Sequence, residues 1–228
     1  MRHVDKADRL RGIRILHEDP DVIVIKKPAG LLVQALSHGR EPSVEAILTD
    51  YVRKGQWKSR KQVYLVHRLD RETSGVMMVA KAESVQDYFR SNWNELTEKT
   101  YLARVEGTLH AESGIFESYL YEDEDLFVRS TPDKSSGKYA RTDLRVVNSA
   151  PQETGPTTLV EATLKTGRKN QIRVQFADAG HPVVGDTKYG HGKRGQTLCL
   201  HAWKLKFVHP HSHREMSFET DLPPFALS

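Results

Sequence analysis

The stretch YLVHRLDRETSGVMMVAK (residues 64–81) contains two short apolar runs separated by a charged loop. The runs, 64–66 and 76–80, predict two buried strands, because short apolar runs bounded by turn-forming residues are typical of strands inside a sheet. The loop between them carries one carboxylate, Asp70, between two arginines. Loops on a rigid scaffold often carry binding or catalytic groups. The stretch therefore predicts one carboxylate fixed in a loop between two buried strands.

Arg68 and Arg71 flank the carboxylate of Asp70 on either side. A neighbouring guanidinium favours the charged form of a carboxyl group, so we expect Asp70 to stay ionised near neutral pH. An ionised carboxylate can act as a nucleophile or a general base, but not readily as a proton donor. Thr73 and Ser74 can cap or brace the turn. The alternative is an aspartate that only fixes the loop through salt bridges, and the loop residues alone leave both interpretations open.

The composition predicts one soluble domain, 13–228, after a short charged arm, 1–12. The chain has 228 residues and is 38% hydrophobic, which is enough to form a full-sized core. The single cysteine, Cys199, excludes an internal disulfide framework and fits a reducing compartment, so we expect the cytoplasm. The sequence contains no run of about 18 apolar residues, so it does not predict a membrane span. The N-terminus lacks the apolar core of a signal peptide.

Apolar periodicity and turn residues predict many strands and three helices. The expected strands are 13–17, 22–26, 64–66, 76–80, 100–105, 114–120, 126–130, 139–147, 157–165, 198–208 and 215–219. The expected helices are 43–54, 83–96 and a short one between Gly167 and Gly180. Many strands with a few interspersed helices and no regular βαβ alternation favour an α+β fold with a largely antiparallel, mixed β-sheet flanked by helices and loops.

Two of these helices carry further sequence signals. Ser43 is the expected N-cap of the first helix, and Ala46, Ile47 and Tyr51 form its expected apolar stripe. In the third helix, Arg173 is expected to lie on a different side from the apolar stripe.

The segment RKGQWKSRK (53–61) is the most basic part of the chain. It has five basic residues, no acid and one tryptophan, Trp57. A cationic loop with an aromatic residue can follow phosphates and stack on a base, although a solvated loop after a helix is an equally good interpretation. Other basic residues, including Lys26 and Lys27, also occur near loops. The formal net charge of +4 permits a polyanionic partner but does not require one.

The motif HRLDRETSG (67–75) resembles the signature of the RluA-like family of pseudouridine synthases. Further blocks resemble that family in the same order: VIVIKKPAGLLV (22–33), KTYLARVEG (99–107), GKYARTDLRVV (137–147), LKTGRKNQIRVQFADAGHPVVGDTKYG (164–190) and LCLHAWKLKFVHP (198–210). Together the blocks extend over nearly the whole chain. The resemblance implies the family's catalytic fold with a central RNA-binding cleft, as a single catalytic domain without an S4 RNA-binding domain.

The resemblance also implies a role for individual residues. Asp70 would be the catalytic aspartate, Tyr101 would stack on the target uracil, and Arg173 would pair with the aspartate. Arg68 would enter the RNA in place of the extruded base, and Leu200 would line the pocket. The other expected substrate-binding residues belong to the aspartate loop and the basic segment: Arg71, Thr73, Lys58, Arg60 and Lys61.

The implied reaction isomerises a flipped-out uridine of tRNA or rRNA, and it requires no metal or organic cofactor. RNA is the expected partner, with no membrane and no obligatory protein partner. Whether Asp70 acts as a nucleophile or as a base stays open. A non-catalytic RNA-binding or chaperone protein on the same fold and a nucleoside hydrolase are the competing hypotheses. A hydrolase would supply a second acid, which the motif lacks.

Two other features of the sequence invite a functional interpretation. His209, His211 and His213 alternate in a predicted turn, but they lack an acid or cysteine partner at the usual zinc spacing, so we expect no metal site. The pairs Gly185-Asp186 and Tyr189-Gly190 are interpreted as turns that support the pocket and not as a phosphate loop. Asn170 and Gln175 occupy positions that are often histidine in the family, so the resemblance assigns them no contact.

Overall fold

The computed structural model describes residues 10–35, 41–56, 58–152 and 155–227. These residues form eleven strands, three α-helices and a short 3₁₀ helix at Pro224–Ala226. The elements are β1 (Arg14–Glu18), β2 (Val22–Lys27), α1 (Val44–Arg53), β3 (Tyr64–Leu65), β4 (Ser74–Ala80), α2 (Glu83–Leu96), β5 (Thr97–Glu106), β6 (Ser113–Glu122), β7 (Val128–Thr131), β8 (Lys138–Gln152), β9 (Gly155–Leu164), α3 (Gln171–Asp178), β10 (Leu200–Val208) and β11 (Glu215–Glu219). The predicted α+β class is confirmed, and every predicted helix and strand is present with ends shifted by a few residues.

The chain divides into two compact units. The first is formed from residues within 1–97 and 205–220, and the second from residues within 98–204 and 221–228. Strand β10 therefore begins in the second unit and ends in the first. The predicted boundary between an arm and one domain at residue 12 stays a prediction, since most of that arm lies outside the described residues. Within the described segments, none of the helices has the length and apolar content required to cross a membrane.

The first unit is built on two strands, β2 and β4, that each contain a continuous apolar run. Strand β2 pairs antiparallel with β1 on one side and with β4 on the other, and β3 pairs antiparallel with β4. Residues 22–25 and 76–80 are almost completely buried, at 2% exposure or less. Successive side chains of a strand point to opposite faces, so burial of consecutive residues means that both faces are covered. This explains why these strands appear in the sequence as continuous apolar runs.

Helix α1 begins where the sequence predicted. The Oγ atom of Ser43 accepts a hydrogen bond from the backbone N–H of Ala46 at 3.2 Å, and Lys54 ends the helix in a left-handed conformation. The predicted apolar stripe was wrong at one position, because Ala46 is exposed. The buried stripe consists of Val44, Ile47 and Leu48, which are spaced three and four residues apart on one face.

The second unit contains a sheet with the strand order β5-β9-β8-β6-β7, in which all neighbours are antiparallel. Helix α3 packs against this sheet, and the Phe176 ring makes an edge contact with the Phe116 ring at a centroid distance of 5.0 Å. Residues 171–176 are all buried. The helix therefore lacks a solvent-facing side over these residues, and Arg173 is buried along with its apolar neighbours.

We expect Ser43→Ala to lower the free energy of unfolding by about 1 kcal/mol, because the N–H of Ala46 would lose its acceptor at a buried helix end. Urea denaturation followed by circular dichroism would measure the change. Ser91→Ala in α2 is the matched control, since Ser91 is exposed and its hydroxyl donates to the Asp87 carbonyl within the helix. Equal stability of the two variants would contradict the capping role.

Candidate active site

The predicted site residues are divided between the two units. The Asp70 loop and the basic segment belong to the first unit, whereas Tyr101, Arg173 and Leu200 belong to the second. Each group has its own scaffold. The first is a loop fixed between strands, and the second is a sheet face covered by a helix.

Asp70 lies in the irregular connection between β3 and β4, as predicted. Its neighbour Leu69 is buried and anchors the loop, while Asp70 itself is half-buried and Arg68 is exposed. The backbone N–H of Thr73 donates to the backbone carbonyl of Asp70 at 3.2 Å, which closes a turn that begins at Asp70. Gly75 then enters β4 with a φ of 118°, a conformation that favours glycine over any residue with a Cβ atom. The loop therefore has a fixed entry and a fixed exit.

Lys27 is the central residue of this scaffold, although its sequence context predicted only one more basic residue near a loop. Its side chain is completely buried at the end of β2. The ammonium group donates hydrogen bonds to the carbonyls of Pro28 at 3.0 Å, Leu31 at 2.8 Å and Arg71 at 3.0 Å. One cation therefore ties the turn that follows β2 to the residue that follows Asp70.

Burial also changes the proton affinity of this lysine. It lowers the pKa of Lys27 from 10.5 to about 8, and the negative charges of Glu72 and Asp70 act in the opposite direction. The charge of Asp70 therefore acts on the Lys27 ammonium. The signal in the sequence that could have indicated burial is the position of Lys27, two residues after an apolar strand run and directly before a proline.

Arg71 braces the same loop through contacts with the neighbouring turn. Its Nε atom donates to the Gly30 carbonyl at 3.2 Å, and the Gly30 N–H donates back to the Arg71 carbonyl at 2.8 Å. The guanidinium also lies 3.3 Å from Glu41 and 3.7 Å from Glu72. These ion pairs are exposed and contribute little to stability. The roles of Arg71, Arg68 and Thr73 in substrate binding stay predictions.

His67, the first residue of the HRLDRETSG motif, holds the start of the loop against β4. Its Nε2 atom accepts a hydrogen bond from the backbone N–H of Met78 at 3.0 Å. Its ring stacks on Trp93 of α2 with a centroid distance of 4.7 Å. The residues next to His67 predict no role for it, because its partners are distant in the chain.

In the second unit, register places Tyr101 and α3 on the same side of the sheet. Tyr101 is opposite Ala162 in β9, and Ala162 is opposite Leu144 in β8. Thr142 lies two residues from Leu144 and therefore shares its face. The Thr142 hydroxyl donates to the Gln175 side chain of α3 at 2.7 Å. The helix that carries Arg173 consequently covers the sheet face that carries Tyr101.

Tyr101, Arg173 and Leu200 are all largely buried in this unit, with exposures of 8%, 8% and 4%. The guanidinium of Arg173 forms a bidentate ion pair with Asp186, with Nε at 2.7 Å and Nη2 at 2.8 Å from the two carboxylate oxygens. The predicted pairing of Arg173 with Asp70 stays a prediction. Asp186 is a partner that the sequence did not predict, although the turn in which Asp186 lies was predicted.

Asn170 and Gln175 have structural contacts. The Asn170 carbonyl oxygen accepts a hydrogen bond from the Tyr189 hydroxyl at 3.1 Å. The Gln175 amide donates to the Ser118 hydroxyl at 3.0 Å. Both side chains therefore join α3 to neighbouring segments of the second unit.

The basic segment presents its cations to solvent. Lys58, Arg60 and Lys61 are exposed, and the Arg53 side chain donates to the Lys61 carbonyl at 2.9 Å. Trp57 lies outside the described residues, so its predicted role in base stacking stays a prediction. An exposed group of cations is suited to contacts with phosphates.

The turn at residues 209–213 lies near acids that the sequence spacing did not reveal. Oxygen atoms of Asp19 and Asp21 and a ring nitrogen of His209 lie within 4.8 Å of one another. The Nδ1 atom of His209 accepts hydrogen bonds from the backbone amides of His211 and Ser212, so the proton of the neutral ring is on Nε2. That nitrogen lies 3.2 Å from Asp19 and 3.5 Å from Asp21. A protonated nitrogen donates to carboxylates and cannot ligate a metal, so this geometry fits a link between two turns.

Comparison with known proteins agrees with this arrangement of motifs. The sequence profile of the family described as RNA pseudouridylate synthase matches residues 21–178. The chain belongs to this family. Both the Asp70 loop and helix α3 lie inside the matched range.

The chain is similar to several curated bacterial proteins. It is 32% identical over 222 residues to the ribosomal large subunit pseudouridine synthase D of Nitrosomonas europaea, covering 92% of this chain and 62% of that protein. It is 33% identical over 208 residues to the dual-specificity RNA pseudouridine synthase RluA of Vibrio vulnificus, covering 87% of this chain and 79% of that protein. The chain spans about three fifths of the length of several curated relatives that it matches.

Two solved human structures share the fold. The chain matches human RNA pseudouridylate synthase domain containing 4 with a TM-score of 0.68 and 27% identity, covering 93% of this chain and 90% of that one. It matches human RNA pseudouridylate synthase domain containing 1 with a TM-score of 0.74 and 22% identity, covering 92% and 84% of the two chains. The second likeness concerns the fold alone.

The lowered pKa of Lys27 predicts a specific dependence of stability on pH. Between pH 8 and 10.5 the unfolded chain binds more protons at this residue than the folded chain does, so the free energy of unfolding rises with pH across that window. Lys27→Met removes this contribution, and we expect a flatter rise in urea denaturation between pH 8 and 10.5. Burial also lowers the pKa of Lys99 to about 8. The free energy of unfolding of Lys27→Met should therefore still rise with pH, but less steeply than that of the wild type.

Lys26→Met is the matched control, because Lys26 is the adjacent residue of the same strand and is only half-buried. We expect this variant to follow the slope of the wild type. Parallel curves for Lys27→Met and the wild type would show that the buried ammonium does not titrate in this window.

Proposed function

We propose that this protein is an RNA pseudouridine synthase that isomerises one or more uridines of structured RNA to pseudouridine. Membership of the family supports the reaction type. The observation that carries the proposal is the Asp70 loop, in which half-buried Asp70 begins a hydrogen-bonded turn and the next residue, Arg71, is held through its carbonyl by Lys27. A carboxylate fixed in this way is suited to act on one atom of a bound nucleotide.

The proposed reaction conserves the atoms of the nucleotide. The C1′–N1 bond of uridine breaks, the uracil turns, and a C5–C1′ bond forms, while C5 releases its proton and N1 acquires one. Asp70 is the proposed catalytic residue, either as a nucleophile at the sugar or as the base that removes a proton from it. Both routes use an ionised carboxylate and neither requires a metal or an organic cofactor.

Tyr101 and Arg173 are the other residues to which we assign a catalytic role. A uridine must leave its base stack to be reached, and stacking on an aromatic ring offsets part of that cost. The Tyr101 ring is the proposed platform. Its position on the sheet face against which α3 packs is consistent with this role. Arg173 would supply a positive charge to the reacting groups, and Leu200 an apolar wall. Arg68, which is exposed, would occupy the gap left in the RNA.

The names of the relatives bear on the choice of RNA. One relative is named for the ribosomal large subunit, and another for dual specificity. We propose tRNA or rRNA as the substrate of this protein, and the cytoplasm as its location. The exposed cations Lys58, Arg60 and Lys61 would contact phosphates around the target, because such contacts position an RNA without reading its sequence.

Asp70→Asn tests the proposed chemistry. We expect this variant to lose pseudouridine formation while its affinity for RNA changes less than about threefold, because the amide keeps the size of the side chain but cannot act as a base or nucleophile. RNA transcripts labelled with tritium at C5 of uridine would be incubated with each protein. Tritium released into water reports the new C5–C1′ bond, and pseudouridine mapping of the same RNA locates it.

Asp50→Asn is the matched control, because Asp50 is exposed on α1 in the same unit. Turnover by Asp70→Asn at the wild-type rate would refute the catalytic assignment. Free uracil without tritium release would identify a hydrolase. RNA binding by the wild-type protein without either product, across total tRNA and rRNA, would identify a binding protein.

The basic segment generates a separate prediction. We expect the triple variant Lys58→Gln, Arg60→Gln and Lys61→Gln to bind RNA more weakly, because fewer phosphates are neutralised in the complex. The slope of log affinity against log salt should become shallower by about 0.7 to 0.9 for each phosphate that the variant no longer neutralises. Fluorescence anisotropy at several salt concentrations would measure both quantities. An unchanged slope would exclude this segment from the surface that binds RNA.

A further inference from the structure

We infer that Asp186 is a positioning residue that orients Arg173 for the reaction. This inference rests on the proposed function and extends it to a residue that does not itself touch the substrate. Asp186 is completely buried in the turn after β9 and α3, and Arg173 lies on α3. The pair therefore joins a helix to a turn inside the second unit.

The geometry of the ion pair fixes the plane of the guanidinium. The Nε and Nη2 atoms of Arg173 donate hydrogen bonds to the two carboxylate oxygens of Asp186, at 2.7 and 2.8 Å. A side-on bidentate pair of this kind leaves neither group free to rotate. The remaining terminal nitrogen, Nη1, is directed toward the edge of the guanidinium opposite Asp186. Asp186 thereby determines the direction in which Arg173 can donate.

Asp186 is itself held by the backbone of its own turn. Its Oδ1 atom accepts hydrogen bonds from the backbone amides of Lys188 at 2.8 Å and Tyr189 at 3.0 Å. Burial on its own would raise the pKa of Asp186, but the hydrogen bonds and charge of Arg173, together with these amides, lower it below the ordinary value. The carboxylate therefore stays charged at neutral pH and cannot change its rotamer without losing several bonds.

Tyr189 supports Arg173 from a second direction. The Arg173 guanidinium lies over the Tyr189 ring at 5.3 Å from its centroid. The Tyr189 hydroxyl accepts from the Val128 N–H at 3.0 Å and donates to the Asn170 side chain at 3.1 Å, so the ring is fixed at its far end. A carboxylate along one edge and an aromatic ring on one face together restrict both the rotation and the tilt of the guanidinium.

This arrangement is better explained by orientation than by stability alone. Burying an ion pair costs desolvation energy, and apolar residues of similar volume are often at least as stable. A charge that must point in one direction before the substrate arrives does require a fixed partner, because preorganised charges stabilise a transition state without reorganisation. Asp186 supplies this partner from within the second unit.

Asp186→Asn is the informative substitution. The asparagine can keep Oδ1 as the acceptor for the two backbone amides, but its NH₂ group replaces the oxygen that accepts from Arg173 Nε. The turn therefore retains its own hydrogen bonds while the bidentate pair is broken. Single-turnover tritium release at saturating protein would be measured with the full chain, together with the dissociation constant for the same RNA.

We expect Asp186→Asn to slow single turnover by about 100-fold, the usual loss on removing one preorganised electrostatic interaction, while RNA affinity changes less than about threefold. Asp143→Asn is the matched control in the same unit. Asp143 accepts from the Nε atom of Arg141 at 2.9 Å, but this pair is partly exposed, and we expect full activity. Circular dichroism melts would establish that all variants are folded at the assay temperature.

A double-mutant cycle distinguishes positioning from a general structural effect. If Asp186 acts through Arg173, the variant combining Asp186→Asn with Arg173→Lys will be no slower than Arg173→Lys alone. Additive losses, or full activity of Asp186→Asn beside an active wild type, would overturn the positioning role and leave the proposed function intact. A wild type that releases no tritium from any RNA would instead overturn the proposed function, and this inference with it.

Discussion

The first unit depends on a single buried cation. Lys27 lies at the end of a strand that begins with four buried apolar residues, and its ammonium group binds three backbone carbonyls from two separate turns. Carbonyls buried without a donor would each cost free energy, and one lysine satisfies three of them at once. The loop that carries Asp70 is therefore anchored to the end of a core strand through the carbonyl of Arg71. A carboxylate on an anchored loop is the feature on which the proposed chemistry relies.

The second unit stabilises its buried cation in a different way, with a carboxylate in place of backbone carbonyls. Arg173 faces a full negative charge on Asp186, whereas Lys27 is surrounded mainly by the partial charges of carbonyl groups. This difference appears in the proton affinities, since the pKa of Lys27 falls to about 8 while the pKa of Asp186 is lowered by its partner. A lysine held by carbonyls can fasten several backbone segments, but a planar guanidinium held by a carboxylate has a defined direction. The first solution suits anchoring, and the second suits the orientation of a charge.

Local sequence signals predicted the elements well because their causes are local. The N-cap at Ser43, the apolar runs of β2 and β4 and the positions of helices and strands along the chain follow from neighbouring residues and from side-chain periodicity. The stripe of α1 was wrong at Ala46, because alanine fits either a buried or an exposed face and only packing decides. The prediction for α3, that Arg173 lies on a different side from the apolar stripe, did not anticipate that the polar residues of this helix are buried as well. Their burial depends on partners from other elements, so packing decides it here too. The acids beside His209 were missed because they come from a turn almost two hundred residues earlier.

The sequence by itself determined the fold class, the family and the identity of the candidate catalytic residues, because these depend on contiguous motifs and on their order. Tertiary structure alone decided which charged groups support those residues. Lys27 appeared to be one of several basic residues near loops, and Asp186 appeared to be only part of a turn. Their roles arise from burial and from partners that are distant in the chain or on another element, and neither property is encoded in the residues next to them. A short-range pattern can therefore locate a reactive group, but the geometry that holds it belongs to the folded chain.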